Sequence, residues 1–185
     1  MSRKQENNQW CEVLAYDPGG TTGWAIACIK PKDLLSDKPF HYKLMAHYAY
    51  GQIIGDEMTQ IDELVELVDI WPNAAVVGES FVQKIKNTGL ETDVAYSPVR
   101  INATVKWWLA TEDRFLFKQS AQQAKSRWTD ERLEKAKLSP EGGHAERHAR
   151  DGVRHAFLFL GRARDQKGLR HRAWPQFFGE DGELL

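Results

Sequence analysis

Three acidic residues from distant parts of the chain have the surroundings that a metal site needs. Asp17 ends an apolar run and is followed at once by the glycine-rich turn of residues 18–23. Glu79 ends a second apolar run, and Asp151 lies in a stretch with helical periodicity. Carboxylate oxygens suit hard divalent cations, and an acid at the end of a strand is held rigidly. The sequence therefore predicts a divalent-metal site at the edge of an α/β sheet.

One histidine is predicted to belong to the same site. At about 100° per residue, His148 and Asp151 share one face of a helix predicted over residues 145–160. The other histidines of that face, His144 and His155, are expected to be accessory or surface residues. Because nitrogen ligands favour softer metals, His148 would suit Mn²⁺ as well as Mg²⁺.

The order of the predicted elements indicates a mixed α/β sheet with an antiparallel start. Strands are predicted over residues 11–17, 22–29, 44–53, 74–79 and 114–117. Helices are predicted over residues 56–70 and 145–160, from an N-cap at Ser97-Pro98 to residue 110, and after the caps Ser120 and Thr129.

Composition favours a single domain without a membrane segment. The chain has 185 residues, of which 42% are hydrophobic, and a net charge of −1. A core of that size needs no disulfide or structural metal. The polar N-terminus contains no signal-peptide core, and no run of about 18 apolar residues occurs. We expect a cytoplasmic protein that does not bind membranes.

The two cysteines, Cys11 and Cys28, lie in apolar runs and lack metal-ligand spacing. A hairpin turn centred between Gly19 and Gly20 would place them opposite each other. We expect them to be neighbouring but reduced, because cytosolic thiols are kept reduced.

Charge is distributed unevenly along the chain. Residues 1–80, which contain Asp17 and Glu79, are acidic, whereas residues 81–172 are basic. This pattern suits a protein that holds metal at one place and binds a polyanion around it. Solvated helix faces rich in Lys and Glu are the alternative explanation.

Three short motifs resemble those of RuvC-like Holliday junction resolvases of the ribonuclease H-like superfamily, particularly the bacteriophage versions. They are residues 17–25, 76–79 and 148–156. The resemblance implies a ribonuclease H-like mixed five-stranded sheet, with its first three strands antiparallel, flanked by helices. It implies a flexible N-terminus at residues 1–10, a nuclease domain at 11–162, and a basic then acidic C-terminal tail at 163–185.

The same resemblance implies an endonuclease that cleaves branched DNA as a homodimer, in a bacterial host's cytoplasm if it is encoded by a phage. Asp17, Glu79 and Asp151 match that family's acids, and His148 takes a position where members carry Asp or His. Two Mg²⁺ ions would be bridged by Asp17, with one held by Glu79 and the other by Asp151. The role of His148 stays open between metal ligand, orientation of the attacking water and protonation of the leaving group.

DNA contacts are expected around the strand ends. Phe81 lies where such enzymes can offer an aromatic side chain to unstack a base, with core packing as the alternative. Phosphate contacts are expected from the basic residues Lys84, Lys86, Arg100, Lys118, Lys125 and Arg127.

Two other functions stay open. The turn at residues 17–22 also resembles the first phosphate loop of actin-like ATPases and sugar kinases. Those proteins enclose a nucleotide between two domains, and this chain has length for one. Within the nucleases, an RNA–DNA hybrid ribonuclease is the second alternative.

Overall fold

A mixed sheet forms the centre of the protein. The computed structural model describes residues 9–81, 93–142 and 146–185. Within these ranges the strands are β1 (Cys11–Asp17), β2 (Thr21–Ile29), β3 (Met45–Ile54), β4 (Ala75–Glu79) and β5 (Leu116–Gln119). Their order across the sheet is β3-β2-β1-β4-β5, with β1 antiparallel to β2 and parallel to β4. The predicted five-stranded mixed sheet and its antiparallel start are confirmed.

Helices cover both faces of this sheet. They are α1 (Pro31–Leu34), α2 (Glu57–Ile70), α3 (Asp93–Thr111), α4 (Ala121–Arg127), α5 (Asp130–Lys135), α6 (Arg147–Asp165) and α7 (Lys167–Ala173). The predicted starts of α2, α4 and α5 are confirmed, because Asp56, Ser120 and Thr129 each accept a hydrogen bond from a backbone N–H of the first turn. None of the helices in the described ranges combines the length and the apolar character needed to cross a membrane.

Alternating side chains of β1 divide the core into two layers. Val13 and Ala15 pack in the cluster that contains the buried side of α6. Leu14 and Tyr16 point the other way, into the cluster formed with α2 and α3. This period of two places α6 on one face of β1, next to the predicted site, and α2 and α3 on the other.

The β1–β2 hairpin differs from the predicted register by one residue. Asp17 pairs with Gly23, and Glu12 pairs with Cys28, so the turn is centred on Gly20. A shift of one residue moves a side chain to the opposite face of a sheet. Cys11 therefore lies beneath α6 and Cys28 beneath α2 and α3, and both are free thiols. The prediction that they are neighbours is wrong.

The starts of α3 and β5 differ from the prediction, because the side chains of Ser97 and Arg114 bind groups in other parts of the fold. Helix α3 begins at Asp93 and contains Pro98, so the predicted cap at Ser97 is wrong. Ser97 is buried, and its side chain hydrogen-bonds Glu57 of α2 instead. Strand β5 begins at Leu116 and not at Arg114, because the Arg114 guanidinium donates to the Trp71 and Ala74 carbonyls at 3.2 and 3.1 Å. The Arg114 N–H donates to the Leu109 carbonyl of α3.

The C-terminal residues belong to the main domain. Helix α6 continues to Asp165, and α7 follows it. Trp174 and Phe178 are fully buried, and the Trp174 indole donates to the Glu12 carbonyl at 3.0 Å. The sequence predicted a C-terminal tail over residues 163–185, but these residues pack against the main domain. The reason is that burying the apolar surface of two large aromatic side chains stabilises the packed arrangement.

Candidate active site

Asp17 and Glu79 meet at one edge of the sheet. Strands β1 and β4 are parallel neighbours whose register pairs Tyr16 with Gly78, so the next residue of each strand is an acid. The two carboxyl groups are close enough to share a hydrogen bond. They lie at the carboxyl ends of their strands, where open α/β sheets bind ligands.

Two glycines allow α6 to lie directly on β2 and bring the third acid to this edge. Gly23 pairs with Asp17 across the hairpin. A Cβ at Gly23 would lie 1.7 Å from the His148 carbonyl oxygen, and one at Gly152 would lie 2.8 Å from the β2 backbone. Only hydrogen fits at either position. The first turns of α6 therefore lie beside Asp17, and Asp151 acts on it electrostatically.

The crowding of these acids changes the ionisation of Asp17. Burial is the largest cause, and the charges of Glu79 and Asp151 add to it, so that the pKa of Asp17 is raised to about 8. Lys125 acts in the opposite direction. The crowding therefore favours the protonated form of Asp17 in the protein without a bound cation. Perturbation by several like charges at one point is typical of functional sites.

Asp151 is held by basic side chains. Arg154, one turn along α6, donates a short hydrogen bond to it, and Lys125 Nζ lies 3.1 Å from its Oδ2. Arg154 also donates to the Trp128 carbonyl at 3.0 Å. Across residues 9–81, 93–142 and 146–185, no three His, Cys, Asp or Glu side chains are arranged closely enough to hold one ion as they stand.

Glu79 has a partner that sequence reasoning missed. His155 is 1% exposed, and its Nε2 lies 3.0 Å from Glu79 Oε2. All hydrogen bonds of the Gln119 amide are satisfied when its nitrogen donates to His155 Nδ1 at 3.2 Å and its oxygen accepts from the Phe159 N–H. Nδ1 is then the acceptor, so Nε2 carries the proton and donates to Glu79.

The sequence predicted an accessory or a surface role for His155; its burial excludes the surface, and its contact with Glu79 fits an accessory residue. The signal was in the sequence, since His155 follows Asp151 by four residues and shares its helix face. The identity of its partner was not, because Glu79 and Gln119 come from strands far away in the chain.

His148 lies at the start of α6, half-buried beside Asp151. Burial is the largest cause that lowers its pKa, followed by the charge of Arg147, while Asp151 acts in the opposite direction. Its Nε2 accepts a hydrogen bond from Arg147 Nε at 3.1 Å, and its backbone N–H donates to the Gln52 side chain. The ring is thus neutral, with Nδ1 as the protonated nitrogen.

Among the residues predicted to contact DNA, Lys125, Phe81 and Lys118 lie on the elements that build the site. Lys125 pairs with Asp151, as described above. Phe81 follows Glu79 by two residues and is 41% exposed, so core packing is excluded. Lys118 is exposed on β5, paired with Gly78 of β4. Their contacts with DNA stay a prediction.

The remaining predicted contacts are dispersed. Arg100 binds both carboxylate oxygens of Glu57, with Nε and Nη2 at 2.7 and 2.6 Å. Arg127 lines a separate cavity beside the last turns of α6. Lys84, Lys86 and His144 lie outside the described residues.

Comparison with solved structures identifies the fold. Neither a family model nor a curated protein matches the sequence. Thermus thermophilus RuvC in complex with a Holliday junction substrate matches with a TM-score of 0.56 and 12% identity, over 84% of this chain and 96% of that one. Another T. thermophilus RuvC structure matches with the same TM-score and 14% identity, over 83% and 96% of the two chains. The fold is RuvC-like.

The RuvC-like fold confirms the resemblance first inferred from three short motifs. Those motifs correspond to the end of β1 with its turn, the end of β4 and the first half of α6. In the RuvC-like arrangement these segments converge, and each contributes one of the crowded acids.

Proposed function

We propose that this protein is a metal-dependent, structure-selective endonuclease that cleaves phosphodiester bonds in branched DNA. The observation that carries the proposal is the convergence of three acids at one edge of the sheet, where the β1–β4 register brings Asp17 beside Glu79 and the close approach of α6 to β2 brings Asp151. Three acids at the edge of a RuvC-like sheet form a donor set suited to hard divalent cations.

The chemistry of these donors suits such a metal, although as they stand the described side chains are not arranged closely enough for three of them to hold one ion. A divalent cation would relieve the repulsion that favours the protonated form of Asp17. Asp17, Glu79 and Asp151 would hold two Mg²⁺ ions, and Mn²⁺ would also support activity because His148 offers a nitrogen. When bound, the ions supply a nucleophile at neutral pH and stabilise charge on the attacked phosphate.

The protein's own groups position this set. His155 donates to Glu79 and fixes one carboxylate oxygen, as ring N–H groups behind metal ligands do. Lys125 and Arg154 orient Asp151. His148 is neutral at neutral pH, and its half-buried ring could accept a proton from the attacking water and pass it to the leaving oxygen if Nε2 exchanged its hydrogen bond from Arg147.

Branched DNA is the proposed substrate because the RuvC structure with the same fold holds a Holliday junction. Symmetrical nicking of a four-way junction requires two active sites related by a two-fold axis. We therefore propose a homodimer. Phe81 and the exposed lysines near the site would contact the strands next to the cut, in a bacterial cytoplasm.

A gel assay tests the proposal. The purified protein is incubated with Mg²⁺ or Mn²⁺ and with four-way, flap, fork, RNA–DNA hybrid and linear duplex substrates, with Asp17→Asn as the inactive control. We expect cleavage of branched DNA that exceeds that of linear duplex and disappears in the control. Preferred cleavage of the hybrid would indicate a ribonuclease. ATP hydrolysis without any cleavage would indicate the nucleotide-binding alternative.

A further inference from the structure

A cavity of about 840 Å³ lies between the last turns of α6, helix α5, the end of α4 and residues 39–41. Its apolar wall contains three aromatic rings, those of Phe40, Trp128 and Phe157, whose centroids are 5.5–6.4 Å apart. Phe40 and Phe157 are buried, whereas Trp128 is half-buried. An aromatic wall with one accessible ring suits a flat, stacking ligand, and the volume falls in the range that holds drug-sized molecules.

The rim of this cavity is strongly basic. Its charged lining comprises Arg127, Arg132, Lys135, Arg162, Arg164 and Asp165, and Asp37 outside the lining also acts electrostatically on Arg164. Such a rim attracts phosphate groups and disfavours a neutral or cationic ligand. The ligand should therefore combine a planar ring with negative charge.

Arg164 adds a donor that has not found an acceptor. Its guanidinium lies 3.9 Å from the centroid of the Phe40 ring, and its Nε donates to the Leu34 carbonyl at 2.8 Å. Its Nη2 is buried and has no hydrogen-bond partner within the described part of the chain. A buried donor without a partner costs free energy, which an anionic acceptor would recover if the guanidinium turned toward the cavity.

The cavity is connected to the acid cluster by two helices. Helix α4 carries Lys125, which pairs with Asp151, and ends at Arg127, which lines the cavity. Along α6, the rise from Asp151 to Arg162 is about 16 Å at 1.5 Å per residue. At 3.4 Å per nucleotide, a strand leaving the acids would reach Arg162 within about five nucleotides.

We propose that this cavity binds a nucleotide of single-stranded DNA, with the base on the Trp128 ring and the neighbouring phosphates on Arg127 and Lys135. That the strand belongs to a branched substrate rests on the proposed function, whereas the binding itself does not. Single-stranded DNA is preferred over an acidic peptide because both features of the site, aromatic wall and basic rim, are matched by base and phosphate together.

Binding of a labelled 12-mer of thymidylate by the full-length protein, measured by fluorescence anisotropy in EDTA, tests this inference. Trp128→Leu keeps an apolar wall but removes the stacking ring, and Arg127→Gln/Lys135→Gln removes two rim charges. We expect each of these variants to bind the 12-mer at least about tenfold more weakly than the parent. The salt dependence of binding should also be smaller for the double variant. Trp107→Leu and Lys32→Gln/Lys167→Gln are matched controls, since these side chains are exposed outside the cavity, and should bind as the parent does.

Competitors identify the ligand class. An abasic 12-mer should compete at least tenfold less well than the thymidylate 12-mer. Equal competition by the abasic strand, by a glutamate 12-mer or by free thymidine monophosphate would overturn the proposal in favour of a nonspecific anion, peptide or mononucleotide site. Parent-like binding by both cavity variants would also overturn it. If thermal melts show that Trp128→Leu is unfolded, the double variant and the abasic competitor decide.

The junction-cleavage assay separates this inference from the proposed function. Cavity-dependent binding of the 12-mer by a protein that cuts no branched DNA would refute the nuclease and leave the strand site intact. If the protein cuts junctions but its cavity variants bind the 12-mer as the parent does, the strand site is refuted and the nuclease stands.

Discussion

Strand β1 carries an acid near each end, Glu12 and Asp17, and the two differ in what surrounds them. Glu12 is 1% exposed, and burial is the largest cause that raises its pKa to about 7, while Arg114 acts in the opposite direction. The pKa of Asp17 is raised to about 8 by burial and, in addition, by the charges of Glu79 and Asp151. One acid is alone in the core layer beneath α2 and α3, and the other is crowded by acids from β4 and α6.

We propose that the difference separates a structural acid, Glu12, from a functional one, Asp17. Burial of a single carboxyl group is a cost that its neighbours tolerate, and it points to no ligand. Convergence of three carboxyl groups from separate elements costs more free energy, because their charges repel one another. Such an arrangement persists where a bound cation offsets this repulsion. Each prediction below tests whether this distinction holds.

The largest effect is expected for Asp17→Asn. Loss of one carboxylate should reduce cleavage of branched DNA more than about 100-fold, beyond what loss of a group behind a metal ligand costs, while junction binding stays nearly intact. Because the folded-state pKa is raised from 3.8 to about 8, the parent in EDTA should lose stability as pH rises through this window, and the variant should lose less. Parent-like cleavage by Asp17→Asn would remove the metal site from the proposal.

Gly23→Ala tests the contact that brings α6 to Asp17. The added Cβ meets the His148 carbonyl at 1.7 Å, so we expect a loss of about 3 kcal/mol in the free energy of unfolding by urea, together with lower activity. Gly20→Ala is the control from the same turn, since a Cβ there has no neighbour within 4 Å and should change stability by less than about 0.5 kcal/mol. Equal effects of the two variants would mean that α6 does not need this contact.

His155→Ala tests the positioning of Glu79. We expect cleavage or metal affinity to fall about 10- to 100-fold, with half-maximal activity at a higher metal concentration. His155→Gln keeps an amide donor and should recover part of the loss, whereas exposed His47→Ala should have no effect. An unchanged metal titration in a folded His155→Ala protein would make His155 a packing residue.

His148 should matter through its neutral ring. Since burial lowers its pKa below 6.5, the ring keeps its lone pair above that pH, and the parent should lose activity only as pH falls below it. Replacement by Ala should cost about tenfold, and replacement by Asp should favour Mg²⁺ over Mn²⁺ and extend activity to lower pH. Cleavage rates across pH 5.5–9 in each metal check this, and a parent-like His148→Ala profile would leave three working acids.

Glu12→Gln should leave cleavage unchanged and affect stability alone. The folded-state pKa is raised from 4.5 to about 7, so the parent loses stability as pH rises through that window. The variant should lack this loss and be more stable at pH 8 by on the order of 2 kcal/mol. Reduced cleavage in Glu12→Gln would contradict the distinction between the two acids of β1.

Local patterns were sufficient for most elements of the fold. The period of apolar residues, the side chains at helix starts and the proline after α2 depend on neighbours within one turn, so they are readable in the sequence. The register of the β1–β2 hairpin could not be predicted in this way, because the glycine-rich turn can be centred on Gly20 or between Gly19 and Gly20 without a change in the local pattern. Ser97 and Arg114 misled the boundaries for the same reason, since their partners lie in another helix or loop.

By itself, the sequence determined the three acids, the strands and helix that carry them, and the likeness that the RuvC-like fold confirmed. The tertiary structure decided that Asp17 and Glu79 lie close enough to share a hydrogen bond, that His155 donates to Glu79, and that Trp174 and Phe178 complete the core. It also assembled the aromatic and basic cavity from α4, α5 and α6. These features depend on the distance between residues far apart in the chain, which only the packing of helices on the sheet establishes.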